Sequence, residues 1–135
     1  MTVTEFYNEY QTKRKTCLDE GEFTAMLVMY PAVLVGYADK HLDKDEKKNF
    51  VASLAEIAKE DEVVAYETYS ELTYLMLAQK PRRDEALGCL KEYLQENAED
   101  KELVIALMNS MAETSDGISA VEQKKIDELK TILSL

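Results

Sequence analysis

Carboxylates crowd two stretches of this chain. Asp39, Asp43, Asp45 and Glu46 follow one apolar segment, and Asp116 and Glu122 follow another. Oxygen-rich turns are what Ca²⁺ or Mg²⁺ requires, so Asp39, Asp43, Glu46, Asp116 and Glu122 are the candidate metal ligands. The competing reading is helix capping, because negative groups are favoured at helix N-termini. The spacing speaks for capping. Asp43 is followed three residues later by Glu46, and Ser119 by Glu122. In such a box the first side chain accepts from the third backbone N–H, and the Glu reaches back to the cap amide. The stretches Leu42 to Glu46 and Ile118 to Glu122 also mimic the end of an EF-hand loop. Its beginning is missing: Val35 and Tyr37, or Met111 and Glu113, do not supply the alternating oxygen ligands such a loop needs.

Other chemistry is sparse. His41 is the only histidine and sits in a charged turn, so a Ser-His-Asp or Cys-His apparatus would have to be built on it. No pair of Cys, His or carboxylate residues around it has zinc-like spacing. A di-iron bundle needs two Glu-x-x-His motifs, which one histidine cannot provide. Glu67 and Glu71 stand one helical turn apart among Tyr66, Tyr69 and Tyr74. They would suit acid–base catalysis only if burial raised one pKa, and an exposed acidic face is the expected arrangement. An exposed cluster of Tyr66, Tyr69 and Tyr74 would instead suggest a partner surface. Tyr30, Tyr37 and Tyr69 read as core or core-edge residues whose hydroxyls reach water. No glycine-rich phosphate loop is present. The sequence therefore offers no catalytic residues and no organic cofactor.

These residues must be positioned by helices. Only four Gly and two Pro punctuate the 135 residues, and apolar residues recur with a period near 3.6. An N-terminal helix is expected around Thr4 to Thr16. Phe23, Met26, Leu27, Tyr30, Leu34 and Tyr37 trace the next, with a kink or break expected at Pro31. Phe50, Val51, Leu54, Ile57 and Ala58 trace another. A helix from about Glu62 to Gln79 turns Leu72, Leu75 and Met76 inward. Pro81 opens the helix carrying Ala86, Leu87, Leu90 and Leu94. Leu103, Val104, Leu107, Met108 and Met111 mark the next, and Ile126, Leu129, Ile132 and Leu133 the last. The expected fold class is all-α, with about seven helices in one domain spanning residues 1–135.

Composition narrows function further. Hydrophobic residues at 46% and charged residues at 32% argue against disorder. A net charge of -11 repels a phosphate backbone, so no nucleic-acid partner is expected. The basic clusters Lys13-Arg14-Lys15, Lys47-Lys48, Arg82-Arg83 and Lys124-Lys125 each have acidic neighbours and read as solvated helix faces. The run from Ala25 to Ala38 is too short to span a bilayer and reads as a central buried helix. Glu5, Asn8 and Glu9 interrupt any apolar stretch near the first residue, so no secretory leader is expected. Cys17 and Cys89 form no CxxC pair. Reduced thiols in a cytoplasmic location are the expectation.

The two acidic junctions also resemble each other. Gly36-Tyr-Ala-Asp-Lys-His-Leu-Asp-Lys-Asp-Glu46 and Ala112-Glu-Thr-Ser-Asp-Gly-Ile-Ser-Ala-Val-Glu122 each join an apolar helix to a capped one. Phe50 pairs with Ile126 in register, and Ile57 with Leu133. The pattern Ala-Asp-Gly-x-Ile-Ser/Asp-x-x-Glu between apolar helices resembles the TerB-like (tellurite-resistance) superfamily. It covers two hairpins, about residues 23–59 and 103–133. Lys40 replaces the glycine in the first copy, and the second lacks one residue before Ile118. The resemblance implies two hairpins related by pseudo-twofold symmetry. It also implies a non-enzymatic bacterial protein linked to stress response. Its expected role is an interaction or adaptor module with a protein partner or self-association. Divalent-cation binding by the acidic turns is the alternative.

Overall fold

The computed structural model describes residues 1–39, 44–45, 48, 52, 56, 62–112 and 117–135. Among these residues the chain is all-helical. The helices are α1 (Val3–Arg14), α2 (Glu20–Gly36), α3 (Glu62–Leu77), α4 (Lys80–Glu96), α5 (Asp100–Ala112) and α6 (Ala120–Leu133), with a 3-10 turn at Tyr37–Asp39 after α2. The helix expected over Phe50, Val51, Leu54, Ile57 and Ala58 lies outside the described residues, as does most of the first hairpin's return segment. No described helix is long and apolar enough to cross a membrane.

Local chemistry sets the helix ends. Thr2 and Glu5 form a capping box at α1: Glu5 N–H donates to Thr2 Oγ1 at 3.2 Å, and Thr2 N–H donates to Glu5 Oε1 at 3.0 Å. Asp19 and Glu22 do the same for α2, with both bonds at 2.8 Å. Each box satisfies donors that the first helical turn leaves unpaired. Lys15, in the left-handed region at φ 51°, ends α1. Gln11 then ties down the connection. Its Nε2 donates to the Thr16 carbonyl at 3.0 Å and its Oε1 accepts from Thr16 N–H at 2.8 Å. Pro81 stands in the first turn of α4, where its missing N–H costs no helical bond.

α2 organises the core. It touches every other described helix, and every residue from Met26 to Gly36 is buried. A helix surrounded on all sides has no polar face to show water, which is why this stretch is apolar all round. That environment also answers the expectation of a break at Pro31. α2 runs unbroken through the proline. A mid-helix proline costs about 3 kcal/mol, and packing on all sides offsets it.

One buried cluster draws residues from all six helices. Phe6, Tyr7 and Tyr10 of α1 surround Phe23 of α2, with ring centroids 5.1 to 5.7 Å from it. Leu72, Leu75, Met76, Ala86, Leu87, Leu90 and Leu94 are buried as their spacing requires, and so are Val104, Leu107, Met108 and Met111. Two expectations are corrected. Tyr30 is fully buried, and its hydroxyl donates to the Leu75 carbonyl at 3.2 Å rather than reaching water. That bond serves a carbonyl in the last turn of α3, where intrahelical partners run out. Ile132 is 40% exposed. Ile126, Leu129 and Leu133 define the inward stripe of α6, and Ile132 lies about 100° away from Leu133 around the helix.

Candidate functional site

The acidic turns divide into described and undescribed parts. Asp43, Glu46, Asp116 and His41 lie outside the described residues. Asp39 ends the 3-10 turn. Glu122 is buried at 7% exposure and forms the expected capping box at α6. Ser119 N–H donates to its Oε1 at 3.2 Å, and Glu122 N–H donates to Ser119 Oγ at 3.1 Å. Gly117, just before, has φ +84°, a conformation that favours glycine. The box is not peculiar to the repeat, since the same device starts α1 and α2. Among the described residues, no three His, Cys, Asp or Glu side chains converge to hold a metal ion.

Glu67 and Glu71 have separate environments. Glu67 is exposed. Glu71, expected on the same acidic face, is instead engaged between α1 and α3. Tyr10 Oη donates to its Oε1 at 2.7 Å, and Arg14 donates Nε to Oε1 at 2.9 Å and Nη2 to Oε2 at 3.1 Å. The Arg14 guanidinium also lies 3.8 Å from the centroid of the Tyr74 ring. The cluster is a bidentate ion pair laid on an aromatic face, which fastens two helices. Burial, and then the bond to Glu71, push the Tyr10 hydroxyl well above its ordinary pKa. The bond to Glu71 raises that of Arg14.

The reading of the basic clusters as solvated faces is corrected at three arginines. Arg14 is the partner of Glu71. Arg82 bridges α4 to α1 through Glu9 at 3.0 Å and also meets Glu85 at 3.3 Å. Arg83 lines a cleft shared with Lys124 and Lys125. Glu71 and Glu9 lie on other helices, so nothing near Arg14 or Arg82 in the chain announces these two partners; only Glu85 is a local one.

The outward face of α3 is the largest departure from an ordinary solvated helix. Val63 is 67% exposed, Tyr66 62%, Tyr74 39% and Leu77 72%. At 100° per residue these four positions, with Glu67 and Ser70, fall within roughly one quarter to one third of the helix circumference. The opposite side carries Ala65, Leu72 and Leu75, all fully buried. α3 is therefore apolar on two faces, and one faces solvent. An exposed cluster of Tyr66, Tyr69 and Tyr74 was the alternative to Tyr69 at the core edge. Tyr66 and Tyr74 share the face, whereas Tyr69 is half-buried against the core. Val63 and Leu77 were missed. Their signal is an apolar spacing of three, eight and three residues through Tyr66 and Tyr74, a second stripe beside the inward one.

The thiols are separate and unpaired with each other. Cys17 is exposed and Cys89 buried, both free. Burial pushes the Cys89 thiol up to about 11. Compared with family models, with curated proteins and with solved structures, the chain matches none.

Proposed function

We propose that this domain is a non-enzymatic protein-interaction module whose docking surface is the outward face of α3. The observation that carries the reading is the exposed stripe Val63, Tyr66, Tyr74 and Leu77. The stripe runs for about 21 Å at 1.5 Å per residue, enough to seat a partner helix of four turns. Tyrosines at a rim combine apolar area with a hydroxyl left in water, the composition of contact surfaces. The resemblance to TerB-like proteins supports the same reading.

The partner that fits is a basic amphipathic helix. The chain carries a net charge of -11, and Glu67 stands within the stripe. Two copies of such a chain repel one another, whereas Lys and Arg flanking an apolar stripe gain from the field. The test uses a labelled leucine–lysine helical peptide of eighteen residues, and the same peptide with glutamate for lysine. The lysine peptide binds in a salt-dependent way, the glutamate peptide does not, and Val63→Ser/Tyr66→Ser/Leu77→Ser weakens binding by about tenfold or more. Equal binding to the triple variant overturns the assignment of the face. Sedimentation showing a dimer that the triple variant loses would give the face to a second copy and overturn the basic partner.

A further inference from the structure

The last helix and α4 together build a feature at odds with the charge of the whole chain. A cleft of about 350 Å³ opens between the C-terminal end of α2, α3, α4 and α6. Leu34, Met76 and Tyr37 supply apolar and aromatic wall, and Arg83, Lys124 and Lys125 supply three cations. Among the described residues of the lining Glu128 is the one acid, 3.6 Å from Lys125. Among the described residues, a chain with net charge -11 has here gathered a local excess of positive charge.

Arg83 is the informative member. Its Nε is buried and has no hydrogen-bond partner. It takes part in none of the ion pairs found among the described residues, and neither does Lys124. The neighbouring Arg82 shows the ordinary alternative, bridging Glu9 and Glu85. A buried donor left without an acceptor is rare in a folded protein; Nε itself is closed to the cleft, but Arg83 as a whole is half-buried and lines it, so the rest of the guanidinium is what a ligand can meet. A guanidinium presents several N–H groups in a plane, matched to the two oxygens of a carboxylate.

We infer that this cleft binds a small apolar monocarboxylate, its carboxylate on Arg83 and Lys124 and its hydrocarbon or aromatic body against Leu34, Met76 and Tyr37. The size lies at the small end of the range for organic ligands. Two observations set the charge at one. Glu128 in the wall repels a second negative charge, and so does the field of the chain as a whole. The apolar wall gives nothing to a bare inorganic anion and favours a ligand with a body.

Calorimetric titration with 2-naphthoate tests the site, with 2-naphthalenemethanol and inorganic phosphate as controls. Naphthoate binds with one-to-one stoichiometry, and both controls bind about tenfold more weakly or worse. Arg83→Gln weakens naphthoate by about tenfold, and Arg83→Lys recovers only part of that, because the fork is lost with the charge kept. Circular dichroism establishes that each variant is folded. The exposed change Lys124→Gln provides a second probe that does not disturb the core and weakens binding in the same direction. Naphthoate and its neutral alcohol binding equally well would overturn the inference. Phosphate binding as tightly as naphthoate would also overturn it, and so would affinity unchanged by both Arg83→Gln and Lys124→Gln. None of these outcomes touches the α3 face, which lies on the other side of that helix from Met76.

Discussion

At the scale of single residues, partnership across the fold decides what each charge does. Glu67 and Glu71 are alike in type and one turn apart, yet only Glu71 holds Tyr10 and Arg14. Replacing Glu71 by Ala removes three hydrogen bonds, two of them from a guanidinium, and leaves the Tyr10 hydroxyl in a mostly apolar setting. The expected loss is about 2 kcal/mol in urea unfolding, the scale of bonds to charged groups at a partly exposed site. Glu67→Ala should stay within about 0.5 kcal/mol, as exposed substitutions do. Equal losses for the two variants would show that the Tyr10–Glu71–Arg14 cluster adds nothing. The sequence could not separate these two glutamates. The partners of Glu71 stand 61 and 57 residues away, and helical periodicity reports only which residues share a face. The arginine of the cleft was hidden for the same reason, since Arg83 and Lys124 come together only when α4 meets α6.

At the scale of elements, the opposite holds: most of the information is local and was legible. A capping box needs two residues three apart, so Ser119–Glu122 could be read directly, and the same rule accounts for Thr2–Glu5 and Asp19–Glu22. The stretch from Ala25 to Ala38 read as a central buried helix because apolar residues filled every face. No break occurs at Pro31, because its cost is local while the packing that offsets it comes from five other helices. The turn into α6 gives a paired test of local control. Among the described residues beyond its chain neighbours, a Cβ at Gly117 would meet no atom within 4 Å, so Gly117→Ala reports chiefly backbone strain at φ +84°. It should cost about 1 kcal/mol. Ser119→Ala should cost about 1 kcal/mol through the lost cap. The double variant should fall short of the sum, because one turn serves both residues. Thermal unfolding showing no loss in either variant would mean that α6 is held by its buried stripe and not by its start.

For the molecule as a whole, burial and net charge act together at high pH. Burial, reinforced by a bond to Asp100 at 2.7 Å, pushes the Tyr93 hydroxyl up to about 12. Burial pushes Cys89 from 9.0 up to about 11, and it raises Tyr10, Tyr30 and Tyr69 as well. The sign follows from linkage. These groups prefer to be neutral in the folded state, so their contribution is complete below the unfolded values and is lost as pH rises through the folded ones. The melting temperature should hold to about pH 9 and fall steeply between about pH 9 and pH 12. Each ionisation also adds to a chain already at -11, so self-repulsion grows in the same interval. Salt separates the two causes. About 0.5 M NaCl shortens the Debye length below the protein's dimensions and screens the repulsion, but it does not resolvate a buried phenolate. The expected result is a modest rise of the whole curve in salt with the alkaline fall retained. Tyr93→Phe should flatten that fall between about pH 10 and pH 12, because one partly buried group no longer titrates. A fall abolished by salt and unchanged by Tyr93→Phe would assign alkaline unfolding to net charge and remove burial as its cause.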